Sequence, residues 1–399
     1  MRKAVLILAV LMSIVVLASC KQDPASPSTP DVVKPTSYKI TFNANGGAGT
    51  MEEKVVSIGD SITLPRGAFT SADNEQFVGW NTKADYTGDI YTDEEKFVPT
   101  SDLTLYAQWV PENFFEVTED GELRRGAKFD TMVLKNNFAV PKYIDDVEVI
   151  TFRNGVNSGV SYSPNGLFQY CYYLKAVAIP DSVTGIGDYA FHSCSALTSV
   201  SLPDSITSIG ASSFTACYVL EAIEFPENLE SIGNSAFYNC HLLNPIVIPD
   251  SVQSIGSSAF SSCKSLSTIT LPQGITEIPS YAFDRCSHLK TVIFKGEVTS
   301  IGNLAFRYCS ALETVSIPAT VETINTAAFY ICTSLKAVYL EAATPPTLME
   351  STNPGEGMIV FGNTDENLKI YVPAASVNTY KAADSWSTYA DRIQAMPAN

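Results

Sequence analysis

The stretch Cys194–Cys217 reads CSALTSVSLPDSITSIGASSFTAC, and its pattern recurs from Phe168 to Leu340 at a constant interval of 23 residues. Each recurrence has a Phe three residues before the Cys and a Leu three residues after it. The eight cysteines in this register are Cys171, Cys194, Cys217, Cys240, Cys263, Cys286, Cys309 and Cys332. A fixed period of this length is typical of a solenoid, in which each coil buries its apolar columns only against neighbouring coils.

One coil can be interpreted in outline. The residues from Leu197 to Leu202 end in an apolar alternation that predicts a short strand, and stacked coils place such strands in a parallel sheet about 4.8 Å apart. Pro203 lacks an N–H group and therefore ends the strand. The segment Ile206–Gly210 forms a second inward-facing side. The Ala-Phe-x-x-Cys segment then turns the corner with its Phe, Ala and thiol pointing inward.

The recurring pattern Leu-x-x-Val-x-Leu-Pro-x-Ser-Val-x-x-Ile-Gly-x-x-Ala-Phe-x-x-Cys resembles the BspA-like leucine-rich repeat proteins of bacterial surfaces. It covers residues 167–341 and contains eight Phe-x-x-Cys units. The resemblance implies a leucine-rich-repeat solenoid. It also implies an adhesive or partner-binding role at the cell surface, with a ligand that differs between members.

A separate module precedes the repeats over residues 38–110. Tyr38–Phe42 alternates as a strand, Asn43–Gly47 forms a turn, and Leu103–Trp109 is a second alternating strand. The module resembles an internalin-type B-repeat, also called a Listeria–Bacteroides repeat, which implies a small β-grasp-like domain. The predicted fold class is therefore mostly β: a solenoid of 23-residue coils with a parallel sheet, preceded by a β-grasp-like domain.

End caps are predicted on both sides of the repeats, because a solenoid must cover its exposed core. Residues 111–166 form the N-terminal cap, with strands at Phe114–Val117 and Met132–Leu134 and a loop at Asn154–Asn165. Residues 342–399 form the C-terminal cap. It contains a closing strand at Leu368–Pro373 and one or two capping helices between Ala374 and Ile393.

The N-terminus has the pattern of an export signal. Arg2 and Lys3 precede an apolar run, and residues 1–19 match a signal peptide. Leu17–Cys20 resembles the lipobox of a bacterial lipoprotein, which implies cleavage before Cys20 and its acylation. Residues 20–37 would then be a lipidated cysteine and a disordered, Pro-rich tether. The alternative is an ordinary signal peptide with a chance cysteine. We expect a lipid-anchored protein of the bacterial cell envelope that is exposed on the surface of the outer membrane.

Composition and motifs argue against several functions. The net charge of −17 disfavours a nucleic-acid partner, and the membrane is contacted only through the lipid anchor. No motif for a catalytic site, a cofactor or a metal is recognisable, and we predict that the protein is not an enzyme. The cysteine column allows three interpretations, namely metal ligands, disulfides between adjacent coils, or buried free thiols that act as small apolar groups. Free thiols fit the in-register geometry best.

Aromatic residues mark the candidate binding site. Tyrosines cluster at variable positions around the Phe-x-x-Cys corner, where they would form a ridge along one edge of the solenoid. The candidates are Tyr170, Tyr172, Tyr173, Tyr189, Tyr218, Tyr238, Tyr281, Tyr308 and Tyr330. Exposed tyrosine suits protein or glycan recognition, although the rings would also serve simply to cover neighbouring coils.

A second candidate surface is the outward face of the sheet, at Ala178, Ser201, Glu224, Val247, Thr270, Ile293, Ser316 and Tyr339. The favoured function is binding of a host or neighbouring-cell protein or glycan through the solenoid. One alternative is a spacer or organiser of the cell envelope that has no specific ligand. A third is an envelope hydrolase, for which no residue pattern argues.

Overall fold

The computed structural model describes residues 35–71, 73–129, 136–144, 147–149, 151–152, 166–349 and 359–397. The predicted signal peptide, Cys20 and most of the tether lie outside these residues. So do the strand predicted at Met132–Leu134 and the loop predicted at Asn154–Asn165. None of the helices within the described ranges is both long and apolar enough to cross a membrane.

The N-terminal module is a small β-domain. Its strands are β1 (Ser37–Asn43), β2 (Lys54–Ser57), β3 (Ile62–Thr63), β4 (Gln76–Asn81), β5 (Ile90–Tyr91), β6 (Lys96–Phe97) and β7 (Leu103–Val110). Five of them form a sheet in the order β2-β1-β7-β4-β5, with β1 and β7 parallel and the other pairs antiparallel. Alternation along β1 and β7 points Ile40 and Leu105 into a core built around Trp80, and all three are fully buried.

The repeats form a parallel β-solenoid with two strands in most coils. The cap before the repeats contributes β8 (Phe115–Val117), β9 (Glu122–Arg125), β10 (Asn136–Ala139), β11 (Tyr143–Ile144), β12 (Val147–Glu148) and β13 (Thr151–Phe152). The coils contribute β14 (Leu174–Ala178), β15 (Gly185–Ile186), β16 (Ser199–Ser201), β17 (Ser208–Ile209), β18 (Ala222–Ile223), β19 (Ser231–Ile232), β20 (Ser254–Ile255), β21 (Thr268–Leu271), β22 (Glu277–Ile278), β23 (Thr291–Phe294), β24 (Ser300–Ile301), β25 (Thr314–Ile317), β26 (Thr323–Ile324), β27 (Ala337–Leu340) and β28 (Thr347–Leu348). The predicted fold class is confirmed.

We call the two sides of the solenoid the front sheet and the rear sheet. The front sheet consists of three hydrogen-bonded groups, β10-β14-β16-β18, β21-β23 and β25-β27-β29-β30, in which β29 and β30 come from the C-terminal cap. The rear sheet consists of β20-β19-β17-β15-β13-β9-β8 and β22-β24-β26-β28. Neighbouring strands of the coils pair one period apart, as Val200 with Ile223 and Ile209 with Ile232 do.

The front sheet is interrupted where a proline enters the ladder. Pro245 occupies the position that Ser199 and Thr268 hold in other coils, and residues 244–248 form no strand. Because proline has no backbone N–H to donate, β18 is not joined to β21 through this coil. Val247, which lies in this interruption, is 76% exposed.

The N-terminal module docks on strand β10 of the N-terminal cap and on the first coil instead of standing apart from the solenoid. The side-chain amide of Gln108 pairs with the backbone of β10. Its Nε2 donates to the carbonyl oxygen of Asn137 at 3.0 Å, and the N–H of Ala139 donates to its Oε1 at 3.1 Å. Val78 and Val110 belong to the same buried cluster as the solenoid core. The solenoid core therefore extends into the edge of the module, while the core around Trp80 remains a separate cluster.

Docking also corrects one sequence-based expectation. Ala178 was expected on the outward face of the front sheet, but it is only 1% exposed. Strand β5 of the module packs against β14 and covers this end of the sheet. The outward face is consequently open only over the later coils.

The C-terminal cap follows the predicted order of a closing strand and short helices. It contains β29 (Lys369–Val372), a 3₁₀ helix (Ala374–Ser376), α1 (Val377–Ala382), a second 3₁₀ helix (Asp384–Arg392) and β30 (Ile393–Ala395). Trp386 is buried, and its indole N–H donates to the carbonyl oxygen of Pro346 at 2.7 Å. These elements close the apolar core at the last coil.

Candidate functional site

The Phe-x-x-Cys segments form one continuous edge, which we call the cysteine corner. It comprises residues 166–173, 189–196, 212–219, 235–242, 258–265, 281–288, 304–311 and 327–334. In seven of the eight segments, two positions that are not glycine have left-handed backbone angles. The residue before each Cys has φ of 60–64°, and the residue two before most Phe residues has φ of 53–60°.

These left-handed residues turn the chain and align its amides along the solenoid. The N–H of Phe214 donates to the carbonyl oxygen of Ala236, and the N–H of Ala216 donates to that of Tyr238, both at 2.8 Å. A left-handed conformation is unfavourable for most side chains, so the bonds to the next coil stabilise a strained turn. Tyr281 and Arg285, which occupy two of these positions, are exposed, whereas Leu304 and Ala327 at equivalent positions are buried.

Stacked phenylalanines form the inner side of the corner. Rings of successive coils lie nearly parallel, with centroids 5.1–5.7 Å apart and interplanar angles of 2–14°, from Phe168 through Phe329 to Phe361 of the C-terminal cap. Such offset stacking is a favourable geometry for aromatic pairs. The column gives the corner a rigid base.

All eight cysteines of the corner are free and fully buried. Seven of the thiols, from Cys194 to Cys332, donate to the carbonyl oxygen of the Phe in the preceding coil at 3.0–3.3 Å. Burial raises the pKa of Cys332 to about 12, and it raises the pKa of Cys240 well above its ordinary value. The thiols are therefore protonated at neutral pH, and a reactive thiolate is disfavoured.

The structure divides the predicted tyrosine ridge into exposed and partly covered rings. Tyr172, Tyr173, Tyr218, Tyr238 and Tyr281 are 38–49% exposed. Tyr170, Tyr189, Tyr308 and Tyr330 are half-buried.

Tyr330 lies at the covered end of the ridge. Its ring packs on Gly362, and its hydroxyl oxygen accepts a hydrogen bond from Asn363 Nδ2 at 3.0 Å. The C-terminal cap therefore occupies part of the surface that Tyr330 was expected to offer.

Histidines lie among the tyrosines of the earlier coils. The ring of His192 contacts Tyr170 and Tyr189, with centroids 5.8 and 5.7 Å away, and the ring of His241 lies 5.2 Å from that of Tyr218. Burial lowers the pKa of His192, and burial together with the charge of Lys264 lowers that of His241. The lowered pKa values keep the imidazoles of His192 and His241 neutral at neutral pH.

The later coils carry a charged cluster that the sequence analysis missed. Asp284 is buried and receives two hydrogen bonds from Arg307, from Nε at 2.8 Å and from Nη2 at 2.9 Å. The guanidinium of Arg285 lies over the ring of Tyr308 at 4.6 Å, and that of Arg307 lies 5.7 Å from the ring of Tyr281. Asp284 and Arg307 are 23 residues apart, so the repeat spacing would have allowed this ion pair to be predicted from the sequence.

Metal binding has no support in the described ranges, which contain no group of three or more His, Cys, Asp and Glu suited to hold a metal ion. The second candidate surface, the front sheet, exposes Val247 and also Ile293, which is 45% exposed. Tyr339 on the same face stacks on Tyr371 of β29, with ring centroids 4.9 Å apart.

Comparison with known proteins identifies both kinds of module. The model of the BspA-type leucine-rich repeat region matches residues 161–264 and 230–344. The model of the Listeria–Bacteroides repeat domain matches residues 38–108. A comparison with curated proteins found no match.

Several solved structures of bacterial leucine-rich repeat proteins are similar to this chain. The leucine-rich repeat protein of T. pallidum is 28% identical, with 51% of this chain and 90% of that chain covered and a TM-score of 0.43. A leucine-rich repeat protein from Bacteroides ovatus is 23% identical, with 65% and 69% covered and a TM-score of 0.46. A leucine-rich cell surface protein from Faecalibacterium prausnitzii is 20% identical, with 71% and 96% covered and a TM-score of 0.31.

Proposed function

We propose that this chain, which carries BspA-type leucine-rich repeats behind a Listeria–Bacteroides repeat domain, is a non-catalytic binding protein of the bacterial cell surface. Its partner would be a protein or glycan of a host or of a neighbouring cell. Leucine-rich repeat proteins of this kind are generally non-catalytic, and the buried, protonated thiols offer no nucleophile.

The observation that carries the proposal is the exposure of five tyrosines on one rigid edge. Tyr172, Tyr173, Tyr218, Tyr238 and Tyr281 are 38–49% exposed, although the Phe residues beside them are fully buried. A tyrosine ring gives a large contact area at a small cost in conformational entropy, and its hydroxyl adds a hydrogen-bonding group. Because the corner backbone is hydrogen-bonded from coil to coil, little ordering is needed when a partner binds.

We further propose that the chain is a lipoprotein anchored through Cys20. The lipobox-like sequence Leu17–Cys20 and the Pro-rich segment that follows it support this proposal. A radiolabelled fatty acid supplied to the cells would then be incorporated into the unmodified chain and not into a Cys20→Ala variant. Equal incorporation into both would show that the acylated residue is not Cys20.

The proposed binding role can be tested with the full chain, purified in detergent, on arrays of extracellular-matrix proteins, mucins and glycans. The ridge variant combines Tyr218→Ala, Tyr238→Ala and Tyr281→Ala, which truncates three exposed rings. The control variant combines Val247→Ser and Ile293→Thr on the front sheet. A saturable ligand that only the ridge variant loses would support the proposal.

Other outcomes assign a different role. Loss of the ligand in the front-sheet variant alone would place the binding surface on that sheet, where Val247 is the most exposed large apolar side chain of the described residues. Absence of any ligand across the arrays would favour the alternative of an envelope spacer. A melting temperature close to that of the unmodified chain must accompany each variant, so that loss of binding is not loss of folding.

A further inference from the structure

The cysteine corner differs in charge from the rest of the chain. The whole chain has a formal net charge of −17, with 42 acidic residues. The eight corner segments contain one carboxylate, Asp284, and three cations, Lys264, Arg285 and Arg307, which gives a net charge of +2. A negatively charged partner is therefore attracted to the corner, whereas the acidic remainder of the chain repels it.

The surplus positive charge lies on Lys264 and Arg285, and Arg285 is the one whose guanidinium is held in place by its neighbours. Asp284 and Arg307 neutralise each other through their two hydrogen bonds. Arg285 reaches the same carboxylate only through Nε, at 3.5 Å, and its side chain is 52% exposed. Its guanidinium is held over the ring of Tyr308 at 4.6 Å. Such stacking restrains the guanidinium, and the 52% exposure of the side chain leaves it accessible to a partner.

An apolar contact surface adjoins this charge on the same edge. Leu242 is 45% exposed, and Tyr238 in the same coil is 38% exposed. Arg285 lies two coils after Leu242. The spacing of these coils along the solenoid is given by their stacked Phe rings, whose centroids are 5.4 and then 5.7 Å apart. An extended peptide rises about 3.3 Å per residue, so three residues span this separation.

From these observations we infer that the corner binds an acidic segment of a partner protein in extended conformation. A carboxylate of the segment accepts two hydrogen bonds from the guanidinium of Arg285. An apolar side chain about three residues away in the segment packs on Leu242 and Tyr238. Tyr and Arg are the residue types that dominate binding energy at protein–protein interfaces, which favours a protein over an acidic polysaccharide. This inference rests on the proposed binding function and specifies its partner.

The test uses the full chain in detergent and the random copolymer poly(Glu,Tyr) as the probe, with polygalacturonate as an acidic polysaccharide. We expect saturable binding of poly(Glu,Tyr) that weakens as salt is added. Arg285→Gln should reduce its affinity about tenfold or more, because a bidentate charged pair is lost. Arg285→Lys should reduce the affinity less, because lysine keeps the positive charge but cannot form the bidentate hydrogen bonds of a guanidinium.

The control is Lys336→Gln, which removes the same charge from an exposed side chain outside the corner and should leave the affinity unchanged. Equal binding by Arg285→Gln, no binding of poly(Glu,Tyr) at low salt, or stronger binding of polygalacturonate would each overturn the inference. The inference also fails, while the proposed function stands, if a ligand from the arrays is lost in the three-tyrosine variant and kept by Arg285→Gln.

Discussion

The Sγ atom of Cys217 donates a hydrogen bond to the carbonyl oxygen of Phe191 in the preceding coil, across 3.2 Å. The same carbonyl oxygen accepts the N–H of Cys194 at 3.1 Å. The thiol therefore ties one coil to the next and fills the space beside the Phe column. This relationship gives a structural role to the column of cysteines at the corner, because each thiol is both a small apolar group and a donor.

Removing one thiol should therefore destabilise the solenoid. For Cys240→Ala we expect a loss of about 1 kcal/mol in the free energy of unfolding, from one lost hydrogen bond and a small cavity. Urea denaturation, monitored by circular dichroism, measures this change in the free energy of unfolding. Thr333→Ala, which truncates an exposed residue next to Cys332, is the control and should change little. An unchanged midpoint for Cys240→Ala would show that the thiol bond contributes nothing to stability.

The thiol column also predicts a loss of stability at alkaline pH. Burial raises the pKa of Cys171 and Cys332 to about 12, against an ordinary value of 9.0. Below pH 9.0 the thiols are protonated in both the folded and the unfolded chain, so they give no pH dependence. Above pH 9.0 the thiols ionise in the unfolded chain but keep their protons in the folded chain. Each buried thiol therefore lowers the free energy of unfolding by about 1.4 kcal/mol per pH unit.

Urea midpoints measured between pH 8 and pH 10.5 should therefore fall steeply above pH 9. A thiol reagent at pH 8 should modify the buried cysteines only after unfolding. Rapid modification of one of them in the folded chain would contradict the buried ladder and would reopen the possibility of thiol chemistry. A Cys240→Ala variant should show a shallower pH dependence than the unmodified chain, because one titrating group is missing.

The Phe column should be the most sensitive part of the corner. Phe237 is fully buried and stacks between Phe214 and Phe260, at 5.2 and 5.4 Å. Phe237→Ala should cost about 3–5 kcal/mol, because it leaves a large cavity between stacked rings. Its chain neighbour Tyr238 is exposed, and Tyr238→Ala should cost less than about 1 kcal/mol. Similar urea midpoints for the two variants would refute this assignment of stability.

Docking of the N-terminal module should depend on Gly79. A Cβ at this position would lie 2.5 Å from the Cβ of Ala139 and 2.8 Å from the carbonyl oxygen of Tyr91, and its φ is +150°. Gly79→Ala should destabilise the contact by about 1–3 kcal/mol and expose the amide of Ala139, which is bonded to Gln108. Faster hydrogen exchange at Ala139 and a second thermal transition are the expected signs.

Gly46→Ala provides the matched control for this variant. Gly46 also has a positive φ, +99°, but an added Cβ would meet no atom within 4 Å. It should therefore show the backbone strain without the clash at the docking contact. If exchange at Ala139 is the same in both variants, the docking contact does not depend on Gly79.

The corner shows how far the register alone predicts a site. Asp284 and Arg307 stand 23 residues apart, and the sequence places them in one column. The tyrosine ridge was predicted in the same way. Which rings are exposed was not predictable from the register alone. Gly362 and Asn363 of the C-terminal cap, which lie outside the register, cover Tyr330. Arg285 is in register with Tyr308, but the spacing does not specify whether its guanidinium lies over that ring or points away from it.

The sequence by itself determined the periodic part of this protein: the two-sided coil, the Phe, Cys and Leu columns and the identity of both kinds of module. A constant 23-residue step makes every coil repeat the contacts of the last, so one coil's pattern specifies them all. The tertiary structure alone decided the contacts that occur once. Gln108 pairing with β10, Gly79 against Ala139 and the burial of Ala178 join residues far apart in the chain with no shared period. Such contacts depend on the shape complementarity of two folded surfaces, and a local sequence pattern does not specify it.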